Sequence, residues 1–173
     1  MCQSPPARPT PLPRRKAAIL ALVCVSNATS LTVIFPFLTF FVRFIGVSEH
    51  RVGFYAGALG SAFSLGSFCS STAWGRLSDR VGRKPVMATG LFLTTGCSLW
   101  FGFTTSFVGG CCARFLTGLV NGVVGVAKTY VQEMTDSTNR AAGFSIISGA
   151  WGVGNVLGPL VGGYLSQPCD HAR

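Results

Sequence analysis

Long apolar runs, bounded by charged residues, are the main pattern along this chain. Four intervals contain no charged residue: Lys16 to Arg43, Arg51 to Arg76, Lys84 to Arg114, and Arg140 to Asp170. Each is longer than the roughly 20 residues that a helix needs to cross the hydrocarbon core of a bilayer. A fifth apolar stretch begins at Phe107 and is interrupted by Arg114. The pattern therefore predicts an all-α membrane protein with five transmembrane helices.

The ends of the apolar runs set the predicted organisation. The predicted spans are residues 17–42, 52–74, 86–106, 107–131 and 143–167. Residues 1–16 are basic and rich in proline, which predicts a disordered tail, and residues 169–173 form a second short tail. The first apolar run is too long for a cleaved signal peptide, so an uncleaved span is expected. An organelle transit peptide stays open, because no acidic residue precedes Glu49.

Composition supports a membrane location and an orientation. Only 11% of the residues are charged and 49% are hydrophobic, whereas a soluble domain carries about 25% charged residues. The net charge of +9 is divided among short clusters between apolar runs, which argues against a nucleic-acid partner. Basic residues favour the cytoplasmic side of membrane proteins. Those on the expected cytoplasmic side are Arg8, Arg14, Arg15, Lys16, Arg76, Arg80, Arg83, Lys84 and Arg140; those on the other side are Arg43, Arg51 and Arg173.

The sequence offers little for catalysis or metal binding. The seven cysteines include no C-x-x-C pair, and most lie within the predicted spans, where free cysteine packs as a small apolar residue. His50 and His171 lie outside the spans. We therefore expect no enzyme activity, no metal site and no cofactor. The expected surroundings are a lipid bilayer, in the plasma membrane or in a vacuolar or other organelle membrane.

Small residues at four-residue spacing predict close helix packing. Such steps occur at Gly53 and Gly57 in span two, at Gly118 and Gly122 in span four, and from Gly154 onward in span five. Small side chains let helix backbones approach within a membrane, where van der Waals contact drives association. Pro36 is expected to kink the first span, because proline removes a backbone donor. Together these features predict a compact bundle.

The predicted loop Gly75–Pro85 carries a recognisable motif. With the preceding Trp74 it reads W-G-R-L-S-D-R-V-G-R-K-P, and it resembles the signature loop of the major facilitator superfamily. The resemblance implies a gate in which the aspartate meets a helix from the second half of the transporter and steadies one access state. The alternative is a basic loop that only orients the protein. The expected gating residues are Gly75, Asp79, Arg80, Gly82, Arg83 and Lys84.

Arg114 begins a second motif. R-F-x-x-G-x-x-x-G resembles a superfamily motif whose arginine is implicated in proton or substrate coupling. An arginine well inside an apolar stretch is costly unless it faces a polar cavity or reaches the headgroups. Arg114 is therefore the coupling candidate, and the alternative is a side chain that extends to the membrane surface.

Span five carries a third motif. Its sequence G-x-x-x-G-P-x-x-G-G resembles the motif of the antiporter branches, and generic helix packing is the alternative. The residues concerned are Gly154, Gly158, Pro159, Gly162 and Gly163. Possible cavity residues on the spans are Asn27, Phe35, Asn121 and Trp151.

These resemblances cover about Ala17–Pro168 and imply most of the amino-terminal lobe of a major facilitator fold. The branch most alike is that of the zinc-induced-facilitator-like and drug:proton antiporters, although a Cys-Pro-Gly-Cys element usual in its plant members is missing. The implied function is secondary active transport, by proton-coupled antiport of a drug, organic anion or metal chelate. This function requires a second lobe, which is expected to be missing from the chain. The alternative is a truncated, non-transporting membrane protein with an assembly or regulatory role.

Overall fold

The computed structural model describes residues 13–166, which form seven helices and no strand within that range. Residues 1–12 and 167–173, which hold most of both predicted tails, lie outside the described residues. The helices are α1 (Arg14–Thr32), α2 (Ile34–Phe44), α3 (Glu49–Val81), α4 (Arg83–Gly102), α5 (Phe107–Val120), α6 (Val123–Met134) and α7 (Arg140–Ser166). The prediction that the tail extends to residue 16 is wrong, because α1 already begins at Arg14.

The helix of the first predicted span is interrupted at Val33, where Pro36 removes one backbone hydrogen bond. Pro36 has no N–H to donate to the carbonyl of Thr32, and α1 ends there, with Val33 separating it from α2. Val33 keeps helical angles (φ −56°, ψ −27°), and its N–H donates to the carbonyl of Thr29 at 2.9 Å. The interruption is therefore a missing hydrogen bond next to a residue that keeps helical backbone angles.

The segment predicted as a loop is helical except at one residue. The helix α3 continues through Val81 and α4 starts at Arg83, so Gly82 alone connects them. Its φ of +102° lies in the region that favours glycine. The prediction of a loop over Gly75–Pro85 is thus wrong, because one glycine reverses the chain.

The fourth predicted span, residues 107–131, is broken near its middle. The helix α5 ends at Val120 and α6 begins at Val123, while Asn121 adopts φ −89° and ψ 80°, outside the helical region. No proline lies in this segment. A continuous helix is therefore the wrong prediction here, and the cause lies in a neighbouring helix, as the site geometry makes clear.

Two pairs of parallel helices build the bundle, α3 with α5 and α1 with α7. Each pair is closed by glycines against which the partner backbone lies. A Cβ placed at Gly118 would overlap the carbonyl of Phe63, and one placed at Gly154 would lie 2.9 Å from the carbonyl oxygen of Val25. The prediction of close packing is confirmed for spans four and five.

Span two behaves differently. A Cβ at Gly53, Gly57 or Gly60 would meet no atom within 4 Å. The helix α3 instead presents Gly66 to α5, where a Cβ would overlap the carbonyl of Phe115. The helices meet along a different face of span two from the one that the small-residue spacing predicts.

The helix α4 runs back across the bundle. Since α3 and α5 are parallel, α4 must start at the end where α3 finishes and return to the end where α5 begins. Its 20 residues extend about 30 Å at 1.5 Å per residue. The four helical stretches of residues 13–166 long and apolar enough to span a membrane are Arg14–Phe44, Glu49–Val81, Phe107–Met134 and Arg140–Leu165.

This topology gathers the basic residues at one end. The start of α1, the turn at Gly82 and the connection between α6 and α7 all lie there, and a contact between Arg83 and Glu133 joins two of them. Arg43 and Arg51 flank the connection between α2 and α3 at the opposite end. The charge asymmetry along the chain is therefore an asymmetry of the folded bundle.

Candidate functional site

A layer of buried polar side chains separates two apolar clusters. One cluster, toward the Gly82 end, includes Leu20, Met87 and Val126, and the other, toward the opposite end, includes Leu38 and Phe101. Between them along their helices lie the buried polar residues Asn27, Thr32, Thr94, Arg114, Thr117 and Asn121. An apolar environment penalises unpaired polar groups, so this layer is the first place to expect functional chemistry.

Arg114 is the largest fully buried side chain in the described part of the chain, with 2% of its surface exposed. Its Nε and Nη1 atoms have no hydrogen-bond partner among the described residues. The guanidinium carbon lies 5.0 Å from the ring centroid of Phe63 on α3, a cation–π distance. Burial within the bundle excludes the alternative in which Arg114 reaches the membrane surface.

Other buried polar side chains near Arg114 also lack hydrogen-bond partners among the described residues. Both amide atoms of Asn27, the hydroxyls of Thr94 and Ser98, and the Oδ1 atom of Asn121 are also buried without a partner. Native interiors leave few such atoms unpaired. Their concentration in one layer indicates a region built to receive polar or charged groups that the folded chain itself does not supply.

A cavity of about 420 Å³ lies beside both helix interruptions. Leu31 borders it just before the interruption at Val33, and Asn121 and Gly122 border it at the break between α5 and α6. Its remaining lining is Phe63, Ser67, Ser71, Trp74, Gly75, Val124, Gly125, Val126, Thr129 and Trp151. The cavity thus borders the α5–α6 break directly and comes within two residues of the α1–α2 interruption.

Trp74 explains the break between α5 and α6. Its indole Nε1 donates to the carbonyl of Leu119 at 2.7 Å, and its ring occupies the space that a Cβ at Gly122 would fill. In a continuous helix the Leu119 carbonyl would accept from the N–H of Val123. The tryptophan therefore replaces a helical bond and needs a glycine to approach.

Two of the four residues predicted to line a cavity do so, and two do not. Asn121 and Trp151 line the cavity. Asn27 does not; it is fully buried in the polar layer. Phe35 does not line it either, and its side chain is exposed on α2.

A charge cluster lies at the turn between α3 and α4. Arg83 Nη2 contacts Asp79 Oδ1 at 2.6 Å and Glu133 Oε1 at 2.7 Å, and its Nη1 bonds to Ser78 Oγ. The hydrogen bond to Glu133, reinforced by Asp79, raises the pKa of the Arg83 guanidinium. Arginine thus stays charged throughout the ordinary pH range, and the cluster ties α3 and α4 to the end of α6.

The other predicted gating residues surround this cluster. Arg80 and Lys84 are exposed, and Gly75 lines the cavity one turn before Asp79. Sequence reasoning missed Glu133. The available signal was an acid that follows span four on the side of the basic turn.

The span-five motif packs against α1. Cβ atoms at Gly158 and Gly162 would overlap Thr32 and Val33, beside the α1 interruption, and Gly154 faces Ala28. A Cβ at Gly163 would meet no atom within 4 Å, and Pro159 is exposed. The first three glycines of the motif therefore share a packing role that the fourth does not have.

Comparison with known proteins adds to this geometry. The family model for the Major Facilitator Superfamily matches residues 20–168. A probable peptide/nitrate transporter of Arabidopsis thaliana is 37% identical over 92% of this chain and 33% of its own length. A multidrug transporter of Aspergillus fumigatus is 36% identical over 92% of the chain and 27% of its own. The zinc induced facilitator 1 protein of Arabidopsis thaliana is 34% identical over 91% of this chain and 33% of its own length. The chain thus spans about a third of the length of these curated relatives.

Proposed function

This chain belongs to the major facilitator superfamily, and on that premise we propose that it forms most of the amino-terminal lobe of a proton-coupled antiporter. The cargo is a small molecule: a drug, an organic anion or a metal chelate. The relative named as a multidrug transporter supports the drug class. A second lobe, which closes over the cavity, completes the transporter.

The observation that carries the proposal is the cavity at two interrupted helices. Transporters bind substrate near the bilayer midplane, where discontinuous helices free backbone groups. Here Asn121 and Gly122 of the α5–α6 interruption line the cavity, and so does Leu31, two residues before the α1–α2 interruption. Irregular backbone at membrane depth is tolerated where it lines a cavity or is buried in protein, so this arrangement favours a transport pathway over a purely structural bundle.

Arg114 is the proposed coupling residue. A buried cation without a counter-ion strongly favours an incoming negative charge and disfavours an incoming proton. Substrate and protons would therefore influence each other through this side chain. Its place behind Phe63, a cavity residue, is consistent with such a role.

The Asp79–Arg83–Glu133 cluster is the proposed gate element. Asp79 and Glu133 both pair with Arg83 here, yet their side chains remain 62% and 50% exposed. An exposed carboxylate can exchange partners at little cost, because exposed ion pairs contribute only about 0–1 kcal/mol. Asp79 is thus free to pair with a helix terminus of the second lobe in one access state.

We further propose that α4, which corresponds to the third predicted span, also crosses the membrane and brings the number of spans to five, and that the Gly82 end faces the cytoplasm. The length and direction of α4 support the first statement, and the basic residues at that end support the second. The membrane is the plasma membrane or an organelle membrane. Accessibility labelling of single cysteines at exposed Ser48 and Arg80 measures the orientation, and labelling of both from one side contradicts it.

The transport proposal is tested in proteoliposomes. The chain is reconstituted together with the carboxyl-terminal lobe of a relative, and flux of candidate drugs, organic anions and metal chelates is measured with and without a pH gradient. We expect flux that the gradient drives in the two-lobe sample, and loss of that flux in Arg114→Ala with membrane insertion intact. Gradient-driven flux at the wild-type rate in Arg114→Ala would remove Arg114 from coupling.

The same assay separates transport from the alternative. A non-transporting membrane protein with an assembly or regulatory role would insert and bind the added lobe, yet give no flux with any cargo class. Flux in the two-lobe sample excludes that alternative.

A further inference from the structure

The cavity beside the helix interruptions has an unusual lining. Three aromatic rings border it, those of Phe63, Trp74 and Trp151, together with the polar side chains of Ser67, Ser71, Asn121 and Thr129. No carboxylate is among its lining residues. Because the indole N–H of Trp74 is already bonded to the Leu119 carbonyl, Trp74 offers the cavity its ring and not a donor. The lining is suited to a flat apolar body.

The nearest buried charge is positive. Arg114 lies behind the ring of Phe63, 5.0 Å from its centroid, with two guanidinium nitrogens unpaired among the described residues. Little water screens this charge, since only 2% of the side chain is exposed. A charge in such surroundings acts over longer distances than it would in water. The buried charge next to a cavity residue is thus positive, and no buried carboxylate among the described residues offsets it.

Asn121 gives the cavity a second polar contact. It lines the cavity, and its buried Oδ1 has no partner. Since the oxygen and nitrogen of an amide are interchangeable by rotation, either end can meet a ligand. With the nitrogen turned inward, the amide would donate to an anionic group beside the arginine.

We propose that this cavity selects small aromatic organic anions, with the ring stacked among Phe63, Trp74 and Trp151 and the carboxylate toward Arg114 and Asn121. This inference rests on the proposed function and narrows its cargo to one class. Aromatic amines are disfavoured, because the lining has no acid and Arg114 repels them. Neutral aromatics fill the same space without the charge interaction.

The test compares three ligands that have similar shapes but different charges. Benzoate, benzamide and benzylamine are titrated at neutral pH, without a pH gradient, into the purified 173-residue chain in lipid nanodiscs, and dissociation constants are measured by saturation-transfer NMR. We expect benzoate to bind at least about tenfold more tightly than benzamide, and benzylamine to bind most weakly. Equal affinities, no benzoate binding, or a preference for benzylamine each overturn the inference without any variant.

Single substitutions test whether Arg114 causes the preference for benzoate. In Arg114→Gln the preference for benzoate over benzamide should disappear, and in Arg114→Lys part of it should remain. The matched control is Lys128→Gln, which removes the same charge from an exposed position on α6 and should leave the preference unchanged. Selectivity that persists in Arg114→Gln, or that is lost equally in Lys128→Gln, contradicts the assignment. Because binding is measured without a gradient or a second lobe, its failure is distinct from a failure of transport.

Discussion

Both parallel helix pairs are packed through glycines, but the atoms that face those glycines differ between the two pairs. In the α3–α5 pair, Gly118 lies against the backbone carbonyl of Phe63, which cannot move without shifting the helix. In the α1–α7 pair, a Cβ at Gly158 would overlap the Thr32 hydroxyl, which can rotate, and would lie 2.8 Å from Thr32 Cβ and 2.9 Å from the backbone nitrogen of Val33. At these two sites, one contact is with backbone alone and the other includes a hydroxyl that can turn away, although other glycines of α7 also meet the backbone of α1. An added methyl group is therefore expected to be better tolerated at Gly158 than at Gly118.

The interruptions in the two pairs also have different origins. The one between α1 and α2 comes from Pro36, a residue of the same segment. The one between α5 and α6 is held from outside, because Trp74 of α3 occupies the space beside Gly122 and binds the Leu119 carbonyl. A break held by a neighbour changes when that neighbour moves. The α5–α6 break is thus the one that a conformational change can control, and it lies next to the Asp79 end of α3.

The largest expected effect comes from Gly118→Ala. The added Cβ would overlap the Phe63 carbonyl and force α3 and α5 apart, at a cost of about 3 kcal/mol in the free energy of unfolding. Thermal and denaturant unfolding in detergent micelles, followed by tryptophan fluorescence, measures the loss. The control is Gly57→Ala, where a Cβ meets no atom within 4 Å and alanine should be neutral or stabilising by up to about 1 kcal/mol. Equal losses in both variants would show that helix packing is not the cause.

The effect of Gly158→Ala should be smaller, at about 1–2 kcal/mol. Thr32 can turn away from the new methyl group, but it then gives up its hydrogen bonds to the carbonyls of Ala28 at 2.8 Å and Gly154 at 3.1 Å. In the double variant with Thr32→Ala, the overlapping hydroxyl is gone, so the combined loss should be less than additive. Gly149→Ala on the same helix is the control, since its Cβ meets nothing within 4 Å. Strict additivity would contradict the proposed contact.

Much of the fold could be predicted because its determinants are local. Charge-free intervals locate the apolar helices, Pro36 locates one interruption, and the positive φ of Gly82 follows from its motif. The glycines of span five also indicate their packing face correctly. In each case the residue that causes the feature belongs to the segment that shows it.

The remainder depends on contacts between segments. The break at Asn121 needs Trp74, which lies 45 positions from its bond partner Leu119, and no pattern within span four reveals it. Likewise, Glu133 joins the charge cluster only because α6 ends beside the turn at Gly82. The motif identified Arg114, whereas its unpaired state and its stacking on Phe63 required the fold.

Trp74→Phe tests whether α3 holds the α5–α6 break. Phenylalanine keeps a ring beside Gly122 but leaves the Leu119 carbonyl without its donor, which should lower the free energy of unfolding by about 1 kcal/mol. The freed carbonyl can then accept from the N–H of Val123, so hydrogen exchange at Val123 should slow. Trp100→Phe on the half-exposed face of α4 is the control. Faster or unchanged exchange at Val123 would mean that the break is intrinsic to its own segment.

Pro36→Ala should have the smallest effect on stability, within about 0.5 kcal/mol. Alanine supplies the N–H that the Thr32 carbonyl lacks, and Val33 already holds helical angles, so α1 and α2 should join into one helix. Hydrogen exchange should show a protected amide at residue 36, while the exchange rates around Asn121 stay as they are. A locally caused interruption is then removed by one local substitution, whereas the break in the other pair persists. A loss of more than about 1 kcal/mol would instead mean that the α1–α7 contact at Thr32 and Val33 depends on the interruption, and that the two pairs are more alike than their contacts indicate.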